Sequence, residues 1–232
     1  MALIKFGGGI TEMRGSLAGN TYSRNRYGAY MRARTKPINP NTDAQQLVRA
    51  SLSSLTTRWA QTLTAGQRAA WDLYGTSVVM TNKLGESINL SGYNHFLRSN
   101  TNLVRLSLPP IDDGPVVFEL PDPDPTFVIS GAEATQNITA TYDAALSWCI
   151  EDGGMLFMFQ GSPQNAQRNF FGGPWRLWTA VEGDTVAPPA GPKIAPAVFA
   201  ISEDQRVWLY ARIMRADGRL SQPFRTDTFI TA

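Results

Sequence analysis

Val207-Trp208-Leu209-Tyr210-Ala211-Arg212-Ile213-Met214-Arg215-Ala216-Asp217-Gly218-Arg219-Leu220-Ser221 is an alternating run that ends in a tight turn. Side chains of an extended chain face opposite sides in turn, so the run predicts a strand with one face in a core. Asp217-Gly218 supplies the turn into the next strand, and Pro223 follows Ser221. Working back from it, strand-like runs separated by turn signals occur at Val116–Leu120, Thr126–Ser130, Asn137–Tyr142, Met155–Gln160, Arg176–Val181 and Ala197–Ile201, and Ser221–Ile230 closes the chain. That spacing predicts an all-β sandwich over residues 116–232.

Upstream, Leu108-Pro109-Pro110-Ile111-Asp112-Asp113-Gly114-Pro115 reads as a stiff, proline-rich linker over 108–115 that holds two parts at a set separation. Before it, residues 43–107 read as a three-helix unit. Thr42 and Gln45 form the pattern of a capping box, and Val48, Leu52, Leu55, Trp59 and Leu63 recur on one helical face. Thr64 and Gln67 repeat the box, Gly75 is expected to stop the second helix, and Ser91 caps a third that carries Tyr93, Phe96, Leu97 and Leu103. A short β-excursion is expected at Ser77–Met80 and Ser87–Leu90.

Residues 1–42 form a basic, glycine-rich arm. Leu17–Arg24 and Tyr27–Arg34 alternate as strands, and Asn25-Arg26 serves as the turn between them. The resulting β-hairpin has too narrow an apolar face to be stable alone, so something else must cover it. The fold class expected is therefore α+β and multidomain: an N-terminal β-hairpin arm, a small helical unit and a C-terminal sandwich.

Charge separates along the chain. Residues 1–110 hold 13 Lys and Arg against 4 Asp and Glu, a net of +9, whereas residues 111–232 hold 8 against 15, a net of −7. Such a chain can pair head to tail with its own copies or lay its basic end on an acidic surface. Arg24, Arg26, Arg32 and Arg34 are the expected electrostatic contacts of the arm, and Tyr22, Tyr27 and Tyr30 its packing contacts. One cysteine, Cys149, and one histidine, His95, leave no disulfide, no cysteine-built zinc site and no paired-imidazole metal centre. Acidic pairs at Asp112/Asp113, Glu151/Asp152 and Glu203/Asp204 fall in turns without metal-loop spacing. Gly7-Gly8-Gly9 lacks the strand and lysine of a phosphate loop. No membrane span, signal peptide, cofactor or metal is expected, and no catalytic residue can be named. Phe170, Phe171, Trp175 and Trp178, beside Arg168 and Asn169, form the one candidate exposed binding surface. Core or subunit packing is the competing account of these rings.

Two resemblances add to this. The run Val207–Ser221 resembles the last hairpin of fibronectin type III-like domains, which implies an Ig/fibronectin III-like sandwich. Gly15-Ser16-Leu17-Ala18-Gly19-Asn20-Thr21-Tyr22-Ser23-Arg24-Asn25-Arg26-Tyr27-Gly28-Ala29-Tyr30-Met31-Arg32-Ala33-Arg34, with Pro37, Asn39-Pro40-Asn41-Thr42 and Ala44-Gln45, is similar to the opening of a group of proteins encoded among the virion structural genes of tailed bacteriophages and prophages. Trp71 and Ser91-Gly92-Tyr93-Asn94-His95-Phe96 extend the likeness over the first 105 residues or so.

This second resemblance implies a virion structural protein, assembled in the host cytoplasm, and transfers no catalytic residue. The expectation is a non-enzymatic capsid decoration or cement protein. Its partners would be its own copies and other virion proteins, held by the arm. A head–tail connector or tail protein is the nearest alternative. DNA binding by the arm and glycan binding at a host surface belong to a different class.

Overall fold

The computed structural model describes residues 2–25, 28–36, 38–82 and 84–232. The chain is α+β and mostly β, with three α-helices and several antiparallel sheets among the described residues.

The arm is more than a hairpin. Strands β1 (Ala2–Leu3), β2 (Gly15–Leu17), β3 (Asn20–Asn25) and β4 (Gly28–Ala33) form one antiparallel sheet in the order β1-β4-β3-β2. The run expected as a single strand from Leu17 breaks at Ala18-Gly19, where both residues have positive φ (44° and 80°). Two successive left-handed residues make the turn whose twist matches a hairpin, and this adds β2 to the sheet. Asn25, expected in the turn, is the last residue of β3 and pairs with Gly28, and Arg26, the other half of the expected turn, lies outside the described residues.

Helix α1 (Asp43–Thr57) runs on through a π-helical turn, Arg58–Thr62, into α2 (Ala65–Ser77). Thr64 accepts from the Gln67 amide and the Gln67 side chain answers to Thr64 N, so the second capping box forms. The first does not: Thr42 makes no side-chain bond at the start of α1. Strands β5 (Val79–Thr81) and β6 (Ser87–Asn89) pair as a short hairpin, and α3 (Gly92–Arg105) starts at Ser91, which accepts from Asn94 N. Leu55, Trp71, Tyr74 and Phe96 are fully enclosed between these helices, with Trp71 edge-on to Phe96 at 5.7 Å.

Gly75 does not stop α2, which continues to Ser77. A Cβ on Gly75 would lie 2.6 Å from Leu90 O and 2.8 Å from Gly92 N, so the glycine is there to let α2 meet the start of α3.

Seven strands complete the chain. They are β7 (Val128–Ala132), β8 (Asn137–Thr141), β9 (Met155–Gly161), β10 (Trp175–Glu182), β11 (Lys193–Pro196), β12 (Arg206–Met214) and β13 (Phe224–Phe229). They divide into a three-stranded sheet, β11-β8-β7, and a four-stranded sheet, β10-β9-β12-β13. One core lies between the sheets: Ile129, Ile138 and Ala140 from the first meet Leu156, Met158, Leu209, Ala211 and Ile213 from the second. The alternation in Val207–Met214 is thus resolved as expected, with Leu209, Ala211 and Ile213 inward.

Two expected strands are absent. Ala197–Ile201 is irregular, and the pairing strand lies just before it, at Lys193–Pro196. Val116–Leu120 also forms no strand. Prolines at 115, 121, 123 and 125 bracket it closely, and each removes a ladder donor.

The stretch 108–115 does not act as a spacer. It lies against the helices: Arg58 binds Asp112 through two 2.6 Å hydrogen bonds, Trp71 Nε1 donates to Asp112 O, and Asn100 exchanges bonds with Ile111 N and O. Helix α3 in turn lies on the outer face of the four-stranded sheet, where Leu103 packs with Met155, Phe157, Met214 and Leu220. Arg98 fastens this contact by donating to the carbonyls of Leu220 and Ser221, both at 2.6 Å.

Candidate assembly surface

The N-terminal sheet is built without a core. None of the described side chains from Leu3 to Ala50 is buried, and the first fully enclosed position is Ser51, within α1. Register divides its side chains between two faces. Tyr22 pairs with Met31 and shares a face with Arg24 and Leu17, which is 59% exposed. Tyr30 pairs with Ser23 and with Leu3, and shares the other face with Arg32. The candidate residues are therefore not one patch. Arg24 and Tyr22 point one way, and Arg32 and Tyr30 the other. Arg34 leaves the sheet after its amide bonds to Gly19 O. Arg26 and Tyr27 lie outside the described residues.

The charges of the arm are only partly answered. Glu12 takes Arg14 at 2.8 Å and lies 4.0 Å from Arg24. Lys5 reaches out of the arm to Glu86, beside β6, at 2.6 Å. The Lys5 ammonium, by its hydrogen bond, holds the Glu86 carboxyl below its ordinary range. An exposed pair of this kind contributes little to stability. Arg32, Arg34 and Lys36 have no ion-pair partner among the described residues. The arm joins the body through residues 34–42, a stretch that spans about 30 Å when extended.

The aromatic candidates separate in the same manner. Phe171 is buried, stacks on Trp208 and meets Trp175 edge-on at 4.9 Å. Trp175 continues to Tyr210, and Tyr210 stacks on Phe159 at 4.4 Å. This row covers the outer face of the four-stranded sheet beyond the reach of α3. Trp178 is half-buried against the inter-sheet core and donates to Pro196 O. Only Phe170, 68% exposed, presents a free ring. Packing, the competing account of these rings, holds for three of the four.

The remaining polar residues serve the fold. Glu151 receives the Arg215 guanidinium and the amide of Ala216, which pins the turn before Asp217. Asp152 receives Thr185, and Asp112 receives Arg58. Burial, with Asp143 and Asp124 nearby, pushes the Cys149 thiol up to about 11, far from a reactive thiolate. Among the described residues no group of three or more His, Cys, Asp or Glu is placed to hold a metal ion, and no helix is long and apolar enough to cross a membrane.

One surface was not foreseen as a surface. The irregular segment Val116–Asp122 exposes three consecutive apolar side chains: Val116 at 83%, Val117 at 41% and Phe118 at 41%. The prolines around it were the sequence signal that it would stay out of a sheet.

No protein-family model matches the chain, and comparison with curated proteins finds no match. Among solved structures it is similar to the crystal structure of a family 76 glycoside hydrolase from a bovine Bacteroides thetaiotaomicron strain. The identity is 10% and the TM-score 0.32, over 48% of this chain and 21% of that one. The matched protein is an enzyme, and this corrects the expectation that the chain is non-enzymatic: absence of catalysis is no longer part of its description. A likeness of this size assigns it neither fold nor activity.

Proposed function

We propose that the chain is a structural protein of a tailed-phage particle, a capsid decoration or cement protein whose N-terminal sheet docks on a neighbouring subunit. The observation that carries this reading is the arm: a cationic four-stranded sheet in which no described side chain is buried, with one exposed ion pair, Lys5–Glu86, between it and the body among the described residues. A sheet of this size gains stability by packing on something else. The resemblance of residues 15–45 to virion structural proteins supplies the setting. The seven C-terminal strands, three in the order β11-β8-β7 and four in the order β10-β9-β12-β13, support an Ig/fibronectin III-like sandwich that projects from the particle. Repeated over many copies, a modest arm contact yields a stable lattice.

Light scattering of the purified chain mixed with empty capsid shells tests the reading. The intact chain should load the shells to a fixed copy number, and a chain lacking residues 2–36 should stay free. Equal loading by the truncated chain would remove the arm from the account. Binding to unrelated DNA duplexes that falls steeply with salt, with no loading of shells, would instead favour a nucleic-acid role for the arm.

A further inference from the structure

Residues 116–122 look like a strand in composition and have no partner in the fold. Val116-Val117-Phe118 is a β-branched and aromatic run, the type enriched in strands, yet its side chains stand in solvent. Among the described residues, the backbone amides of Val116, Val117, Phe118, Glu119 and Leu120 donate no hydrogen bond. The segment is nonetheless fixed at both ends. Pro115 is buried, Leu120 packs into the helical core, and Glu119 O accepts from Arg219. A held segment with free amides and exposed apolar side chains is a ready acceptor for another chain.

Its charge selects the occupant. From Ile111 to Pro125 there are five acidic residues and no Lys or Arg. Asp112 is taken by Arg58, and Asp124 is buried on the amides of Thr126 and Asp143. Asp113 accepts only from the Gln67 amide, and Glu119 and Asp122 carry no ion pair among the described residues. Arg215 and Arg219, which border the adjoining cleft, are already paired with Glu151 and Asp217. The same chain carries a sheet with the opposite sign and the complementary defect: Arg32, Arg34 and Lys36 form no ion pair among the described residues, and Leu3 and Tyr30, on the same face as Arg32, are not buried.

We infer that residues 116–122 are the receptor for the N-terminal sheet of a second copy of this chain, with Phe118 and Val116–Val117 against its apolar side chains and Glu119 and Asp122 against Arg32 and Arg34. This rests on the arm reading above and names the partner of that arm. Head-to-tail contacts of this kind do not consume both surfaces of either copy, so they propagate into rings or lattices.

Sedimentation velocity of the full-length chain over a concentration series gives the test. The wild type should self-associate, less so as salt is raised. Phe118→Ser should weaken association about tenfold or more, the scale of an aromatic anchor. Glu119→Lys/Asp122→Lys and Arg32→Glu/Arg34→Glu should each abolish it, and an equimolar mixture of the two should restore it, since every receptor then meets an arm of opposite sign. All of these positions are on the surface, so near-ultraviolet circular dichroism should be unchanged. If the arm variant dissociates while both receptor variants associate normally, the receptor assignment is wrong and the arm reading survives. If the arm variant also associates normally, the arm reading itself fails. A wild type that stays monomeric at every concentration overturns the second-copy assignment and leaves the arm to a different virion protein.

Discussion

His95 is fully buried, its ring edge-on to Tyr74 with centroids 4.9 Å apart, and neither ring nitrogen has a hydrogen-bond partner among the described residues. Burial first, and Arg98 second, hold the imidazole down to about 4, against an ordinary value of 6.5. Between those two pH values the unfolded chain binds a proton there that the folded chain refuses. Stability must therefore fall as pH drops from 6.5 toward 4, while above 6.5 this group has no effect. The thermal midpoint of the wild type should decline across that window, and His95→Phe, which keeps the ring contact, should flatten the decline. A pH profile identical in both proteins would show that His95 titrates normally. Gly75 gives a second prediction at this scale. Gly75→Ala forces a Cβ into Leu90 O and should cost about 1–3 kcal/mol by urea unfolding, the range for overpacking, although alanine is the better helix former. That residue looked like a helix stop from sequence because a glycine ending an apolar run and a glycine accommodating a neighbour are written identically.

Among the elements, α3 couples the two kinds of structure. One side of it packs on Trp71 and Tyr74, and Leu103 lies on the four-stranded sheet. Between them, Arg98 donates to two carbonyls of buried residues, and its surroundings lower its own affinity for a proton to about 10, through burial and then Arg212. The cost of placing that cation there is offset only while both carbonyls accept from it. Arg98→Met should destabilise the chain by about 2–4 kcal/mol, with Arg98→Lys recovering part of it. Loss of cooperativity, with helical and aromatic signals unfolding apart, would show that Arg98 is the main tie between helix and sheet. The helices themselves were legible, because apolar spacing and the Thr64–Gln67 box are local. The docking of α3 was not, since a buried arginine leaves no signature in its own neighbourhood of sequence. The expected spacer at 108–115 failed for the same reason: proline content reports stiffness, and says nothing of Asp112 finding Arg58 across 54 positions.

At the scale of the whole molecule, the arm and the body differ in how they are stabilised. The body has enclosed cores, whereas the described side chains of the N-terminal sheet form none. Removing residues 2–36 should thus leave the unfolding free energy, measured in urea, within about 0.5 kcal/mol of the full chain, the range of surface changes. A large loss would mean that the sheet stabilises its own body and is not free to serve a neighbour. The charge asymmetry, +9 against −7, is the global feature on which the proposed pairing between copies rests.

The sequence by itself determined what is periodic or summed along the chain: the helices of residues 43–105, most of the C-terminal strands, the inward face of Val207–Met214, and the division of charge. These follow from spacing and composition, which act within a turn or two of backbone. Tertiary structure decided whatever depends on residues far apart in number. It set Tyr22 and Tyr30 on opposite faces of the arm, because pairing register fixes facing. It enclosed Phe171 and left Phe170 in solvent, though the two are adjacent. It kept Val116–Leu120 out of both sheets, so that a run composed for a strand remains at the surface with its amides open.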